Sequence, residues 1–402
     1  MMKKTIRIDR RRLWLYILFT FMFEPKLFVK NNITNTIFVL GAVLCFSIIL
    51  IKYILSRHKI NKMFFVCILY RLSFAIQTVI SHGDILMWGY MSLIIICLLM
   101  TIELYADICP DKLLTSLVDV LISILTVNLL ISFIYPDGVI DGIYYIGIRT
   151  RFTEVIFAAV GLSITLDIMH NQTISTRTLI CILLSIAHII RFWIATAIIG
   201  GLVFIFCLTL LMKVNKLVKF LQVKYFLLFS LIGTVIITMS KDINLFTWFI
   251  EDVLNKSLTL SSRTLLWSNT RRIIMESPVI GHGQAINGNF VPAYYIGGYD
   301  LKQSHNQWLQ TMYDGGLLTS GLFALIIYNE GKAINRCISS SKIGRPICAA
   351  TIAMLIMMLA EIYSYTPYLF AILFAGYKTE KMECRQPLRN QNTARYRIRT
   401  TQ

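Results

Sequence analysis

Apolar runs close to twenty residues long, separated by short polar stretches, recur at about residues 13–29, 33–55, 63–81, 85–104, 112–135, 153–170, 174–190, 194–212, 223–239, 315–330, 346–362 and 366–377. A helix needs about 20 apolar residues to cross the hydrocarbon core of a bilayer, so the pattern predicts one all-α polytopic bundle of about twelve spans. The first and last runs are short or interrupted. The opening MMKKTIRIDRRR-LWLYILFTFMF has the basic-then-apolar order of a secretory signal, but Glu24-Pro25-Lys26 follows where a small-residue cleavage site would stand. It is therefore expected to be retained as the first span.

Composition agrees with the pattern. Of 402 residues, 56% are apolar and only 15% charged, against about 25% charged in soluble chains. A net charge of +18 on a soluble protein would raise the question of nucleic acid. Here the cations lie in short connections and at both ends, which removes it. With an even number of spans, 27 Lys and Arg fall on the side that holds both termini and 11 on the other. That excess predicts cytoplasmic termini.

The division expected is a transmembrane bundle over 1–239, an outward-facing loop over 240–315 that carries the active site, further spans over 316–377, and a basic cytoplasmic tail over 378–402. The nine cysteines sit in apolar runs or, as with Cys109, Cys337 and Cys384, in stretches assigned to the cytoplasm, so no disulfide framework is implied. The chain has no internal repeat, P-loop, HExxH, paired CxxC or DxD, and ATP-driven transport and zinc hydrolysis lose their usual signals. Neither a metal nor a cofactor is expected.

Charges in the long loop balance, with Lys241, Lys256, Arg263, Arg271, Arg272 and Lys302 against Asp242, Glu251, Asp252, Glu276, Asp300 and Asp314. Any anion site must then come from particular residues. Residues 261–276 predict a helix ended by Pro278, with Ser261 or Ser262 as its cap. On it Arg271 lies about 80° around from Arg263 and Arg272 about 180°, so the first two can converge on one ligand. Headgroup contact at the membrane surface is the plainer reading of these arginines. Next, ESPVIGHGQ predicts a turn in which Gly281 and Gly283 flank His282. The stretch from Gln303 to Gln310 begins a helix at Ser304 to Asn306, which puts His305 at the positive end of a helix dipole, where a neutral imidazole and nearby anions are favoured. The alternative is a His-Asn pair that only caps the helix. Arg71, buried within a span, calls for a partner such as Glu103, Asp119 or Glu154, or for a place on a substrate path.

Taken in order, Arg263 and Trp267, then Pro278 with Gly281 and Gly283, then His305-Asn306 leading to Gly316, resemble the hallmark loop of the O-antigen ligases and polysaccharide polymerases, outward-facing glycosyltransferases of bacterial membranes. Upstream, Gly147-Ile148-Arg149-Thr150-Arg151-Phe152-Thr153 resembles the Gly-Arg-Thr segments of capsule polymerases. Residues 190–197, around Arg191, resemble the family's hinge between adjoining spans, with Ile190 where a Ser is common.

The resemblance implies a C-type glycosyltransferase-like bundle in the bacterial cytoplasmic (inner) membrane. It implies inverting, metal-independent transfer of sugar from a polyprenyl-pyrophosphate carrier to an acceptor. His305, Arg263 and Arg191 are then the catalytic candidates, and Arg271, Arg149, Arg151, Asn306 and Trp308 the substrate-binding ones. Guanidinium suits a pyrophosphate leaving group because it stays charged and presents a planar fork to phosphate oxygens. His305 would serve as general base or orient the acceptor hydroxyl, and Glu24 is an alternative base. Implied partners are the lipid-linked oligosaccharide donor and acceptor, membrane lipid, and flippase and chain-length regulator proteins, with no nucleic acid. A polymerase is expected over a ligase that transfers finished polymer to lipid A core, because of the segment at 147–153 and the short loop. The other class is a non-enzymatic transporter of lipid-linked oligosaccharide, which would ordinarily carry charge along several spans.

Overall fold

The structure, a computed structural model, describes residues 9–171, 173–239, 257–284, 290–294, 302–338 and 341–384. Among them regular structure is helical, apart from isolated bridges at Ile140, Ile143 and Ile148. In chain order the helices are α1 (Arg10–Met22), α2 (Lys26–Val29), α3 (Asn32–Leu55), α4 (Lys62–Ile80), α5 (Ile85–Ile108), α6 (Pro110–Ile134), α7 (Phe152–Met169), α8 (Thr176–Phe192), α9 (Ala195–Lys213) and α10 (Val223–Met239). There follow α11 (Ser257–Ile274), α12 (Val291–Tyr294), α13 (Gln307–Cys337), α14 (Arg345–Met357), α15 (Pro367–Tyr377) and α16 (Thr379–Cys384).

The sequence sets these boundaries by local chemistry. Asn31, Asn61, Asp84, Ser175 and Asn306 each turn a side-chain oxygen onto the orphan N–H groups of a first turn, the role for which such residues are favoured. Proline opens α6 and α15, where its missing N–H is harmless. Six helices, α3 to α7 and α9, are long and apolar enough to cross a membrane, and α10, α14 and α15 are shorter apolar helices. Large apolar side chains such as Leu40, Leu44, Leu202, Phe206, Leu228 and Ile232 stand exposed along α3, α9 and α10. A bilayer would cover that surface; water would not. The protein is thus a multi-pass membrane helix bundle.

Two expectations are corrected here. The helix ended by Pro278 starts at Ser257, four residues before Ser261, so Ser261 and Ser262 lie inside it rather than at its cap. Serine competes for backbone hydrogen bonds but is tolerated within a helix. Arg71 pairs with none of the carboxylates proposed for it. Its guanidinium donates to Ser92 Oγ at 2.8 Å and to the Trp88 carbonyl at 3.2 Å, and it packs against the rings of Tyr70 and Phe74. Glu103 is taken by Tyr53 and Asn61, and Asp119 by Arg12 and Arg177.

One large core fills the bundle, and a small second one, with Leu266, Trp267, Ile273, Phe290, Leu309 and Tyr313, joins α11 and α12 to the start of α13. That second core holds the loop segments against the membrane helices.

Candidate active site

Three connections meet at one end of the bundle, and backbone hydrogen bonds lock them together. α13 is broken at Gly315 and Gly316, the latter at φ +66°. Into this break fits the turn that begins at Pro278: Leu317 N–H donates to the Pro278 carbonyl at 2.9 Å, His282 N–H to that of Tyr313 at 2.7 Å, and Gly283 N–H to that of Asp314 at 2.8 Å. A Cβ on Gly316 would lie 2.2 Å from the Val279 carbonyl carbon, and one on Gly281 2.5 Å from Gly315 N. The glycines permit backbone to touch backbone at a conformation other residues rarely adopt. His282 is spent in this turn, with Nε2 against the Ile273 carbonyl at 2.8 Å and its ring stacked on Tyr313.

The segment before α13 is tied on both sides. Trp267 of α11 donates its indole N–H to the Ser304 carbonyl at 2.8 Å. Asn306 caps α13 through its carbonyl oxygen, while its amide donates to Thr234 Oγ1 at 3.2 Å and the Leu359 carbonyl at 3.0 Å. Gln307 N–H donates to the Met358 carbonyl at 2.9 Å, and Gln307 Oε1 accepts from Tyr363 N–H at 2.7 Å and Ser364 N–H at 3.0 Å. The turn between α14 and α15 is therefore fastened to residues 306 and 307.

Between these fixed neighbours His305 takes a left-handed backbone, φ +53°, uncommon for a residue with a side chain. Its Nδ1 is buried with no hydrogen-bond partner among the described residues. Burial, and the repulsion of Arg263 and Arg151, hold its pKa down to about 4. The ring is neutral at physiological pH, a possible donor or acceptor through whichever nitrogen faces a ligand.

Arg151 sits at the start of α7. It donates to Glu154 at 2.5 Å, to the Ile362 carbonyl at 2.9 Å and to Gln303 Oε1 at 3.1 Å. Glu154 also accepts from Thr366. Beside them a small cavity is lined by Glu24, Lys26, Tyr90, Arg151 and Glu154. Burial raises the Glu24 carboxyl above its usual range, opposed by the Tyr90 hydroxyl that donates to it at 2.6 Å.

Of the residues expected at the site, His305, Arg263 and Arg151 are thus brought together, with Arg263 and Arg151 both acting on the imidazole. Others stand elsewhere. Arg191, at the end of α8, donates to the Ser132 carbonyl at 2.7 Å and lies over the rings of Phe133 and Phe192. Phe192 in turn stacks on Phe152, the residue that follows Arg151. Arg271 lines a groove of about 600 Å³ between α10, α11 and α13, walled by Val235, Ile274, Trp308, Met312 and Leu317. Its Nε is buried without a hydrogen-bond partner among the described residues. The 80° between Arg263 and Arg271 separates two surfaces rather than joining them. Arg149 is exposed, as is Arg272. Asn306 and Trp308 are buried and engaged inside the protein, Trp308 donating to Ser230 Oγ at 2.8 Å, so both position the segment and neither polar group is left for a sugar.

Two members of the site carry weak signals in the sequence. Glu154 follows Arg151 by three residues, a spacing that pairs charges along a helix. Glu361, on which Arg151 and Arg263 both act, offers nothing beyond a charge at the end of an apolar run, because its neighbours come from distant parts of the chain.

Residues 153–328 match the family model described as O-antigen ligase. The chain carries a domain of the O-antigen ligase family. That family points to a membrane glycosyltransferase of the O-antigen ligase and polymerase type. The O-antigen ligase domain contains Glu154, Arg191, Arg263, Arg271 and His305 and ends within α13; Arg151 and Glu361 lie outside it. No curated protein matches the chain.

Proposed function

We propose that the protein is a polysaccharide polymerase of the bacterial inner membrane. It joins oligosaccharide repeat units carried on polyprenyl pyrophosphate into a capsular or O-antigen polymer, with inversion and without a metal. The observation that carries this reading is the gathering of Arg263, Arg151 and a neutral His305 at one end of an O-antigen ligase domain. Breaking the sugar–phosphate bond builds negative charge on the departing pyrophosphate, and fixed guanidinium groups stabilise such charge most where water is excluded. Arg263, which forms no ion pair among the described residues, is the primary clamp. His305 orients the acceptor hydroxyl or a phosphate oxygen. Arg271, in its apolar groove, meets the lipid carrier, and Arg149 and Arg191 guide substrate from the rim. The remaining spans, for about twelve in all, and cytoplasmic termini complete the proposal. It favours a polymerase over a ligase through the Gly147–Thr153 segment and the short loop.

Membranes containing the protein, incubated without metal with the lipid-linked oligosaccharide that accumulates in cells lacking it, should yield a ladder of longer chains. A single product on lipid A core would show a ligase instead. Transfer of intact lipid-linked oligosaccharide across vesicles without bond formation would show a transporter. Asn287→Cys, outside the described residues, should label from outside intact cells.

A further inference from the structure

The outer carboxylates are not equivalent. Glu154 is held by Arg151 and Thr366, and Glu24 takes the Tyr90 hydroxyl. Glu361 lies in the turn between α14 and α15, whose backbone is fixed on either side of it. Leu359 accepts from Asn306 at 3.0 Å, one residue past His305, and Ile362 accepts from Arg151 at 2.9 Å. Those two bonds place Glu361 between the His305 segment and the start of α7. Among the described residues its carboxylate forms no ion pair within 4 Å, in contrast to Glu154.

We propose that Glu361 is the catalytic base of this site, taking the proton from the acceptor hydroxyl as it attacks. The inference rests on the glycosyl-transfer reading above. As the acceptor oxygen forms its bond to the anomeric carbon, the carbon–oxygen bond to the pyrophosphate breaks and its electron pair leaves with the phosphate, next to Arg263. The hydroxyl proton moves to Glu361 and is later lost to water.

The charges around the two candidate bases separate their roles. His305 would have to become a cation in a buried place beside Arg263 and Arg151; burial first, and then the two arginines, hold its pKa down to about 4. Glu361 is faced by Arg151 and Glu154 from α7, Arg263 from α11, Thr196 from α9, and Tyr363 in its own turn. Burial pushes its carboxyl up to about 7, against the pull of the two arginines. A base of that strength is matched to neutral pH. His305 is left to orient the hydroxyl.

The test uses the full chain in proteoliposomes with lipid-linked oligosaccharide extracted from cells that lack it. The wild-type rate should rise about tenfold per pH unit up to about 7 and then level. Glu361→Gln should lower the rate by about 100-fold or more and flatten that rise. Binding of the extracted lipid, read as a thermal shift, should stay within about twofold. Glu361→Asp should recover part of the rate with the rise displaced in pH. A Gln variant at wild-type rate, or one that loses lipid binding together with rate, overturns the role. If the Gln variant does not fold, an Asp variant with an unmoved pH profile overturns it equally. Wild-type protein that forms no glycosidic bond defeats the polymerase reading and the inference with it. An active wild type matched by Glu361→Gln defeats the inference alone.

Discussion

The two ends of the bundle treat their charges differently. At the end where α5 and α13 finish and α8 begins, cations meet carboxylates: Asp119 bridges Arg12 and Arg177 at 2.7 Å each, Lys112 meets Asp9 at 2.5 Å, and Lys381 meets Asp107 at 2.9 Å. These groups are half-exposed, and each such pair contributes less than about 1 kcal/mol. At the His305 end, several ionisable groups are buried and unmatched. His305 Nδ1, Glu24 Oε1 and Arg271 Nε are buried without partners among the described residues. Leaving a buried polar group unpaired costs about 1–3 kcal/mol, a cost a ligand can offset. Among the described residues Asp107 Oδ1 and Glu330 Oε2 are unpartnered toward the other end as well, so what sets the His305 end apart is the gathering of Arg263, Arg151 and His305 in one place.

The sharpest way to break the contrast is at the His305 end. Arg263→Ala and His305→Ala should each reduce polymer formation by about 100-fold or more while the protein still inserts and folds, as expected for a group that stabilises developing charge. Wild-type polymer from both would make the end a structural feature. Because His305 is neutral above about pH 4, its own titration should leave no limb in the rate between pH 5.5 and 8. A limb that disappears in His305→Gln would show the imidazole to be the base.

Next in size is the Arg151–Glu154 pair. Arg151→Ala strands Glu154, which is 1% exposed, and should destabilise the protein by about 3–5 kcal/mol, seen as a lower detergent melting temperature. Arg151→Ala combined with Glu154→Gln should be milder than the single change. Gly316→Ala should cost upwards of about 1 kcal/mol, since its Cβ meets the Val279 backbone at φ +66°, and should loosen the His305 segment. At the other end, Arg177→Ala should shift stability by less than about 1 kcal/mol and leave polymer unchanged. A large loss there would erase the distinction between the ends.

Much of this was legible along the chain. Each predicted apolar run overlaps a helix, although the run at 13–29 falls on two and that at 346–362 outlasts its helix, and six of the helices are long and apolar enough to cross a membrane. The Pro278 turn, its glycines and the helix start at Asn306 also follow from local rules. The sites of Arg263 and His305 were readable as positions, not as neighbours. Two residues show the limit. Arg271 has the right type and nearly the right helix face, yet it opens on an apolar groove, since 80° of rotation about a helix decides which neighbour a side chain meets. Trp308 reads as an aromatic that could stack on sugar but is buried against Ser230 and Phe323.

By itself, the sequence determined that this is an all-helical membrane protein with few charges inside its spans. It also determined where helices start and stop and which short stretch carries glycines and a histidine. Those properties depend on neighbours a few residues away and on the solvent. Tertiary structure alone decided that residue 151, residue 263, residue 305 and residue 361 share one place, and that Arg191 and Arg271 do not. Such outcomes depend on contacts across hundreds of residues, where no local pattern records which charge faces which.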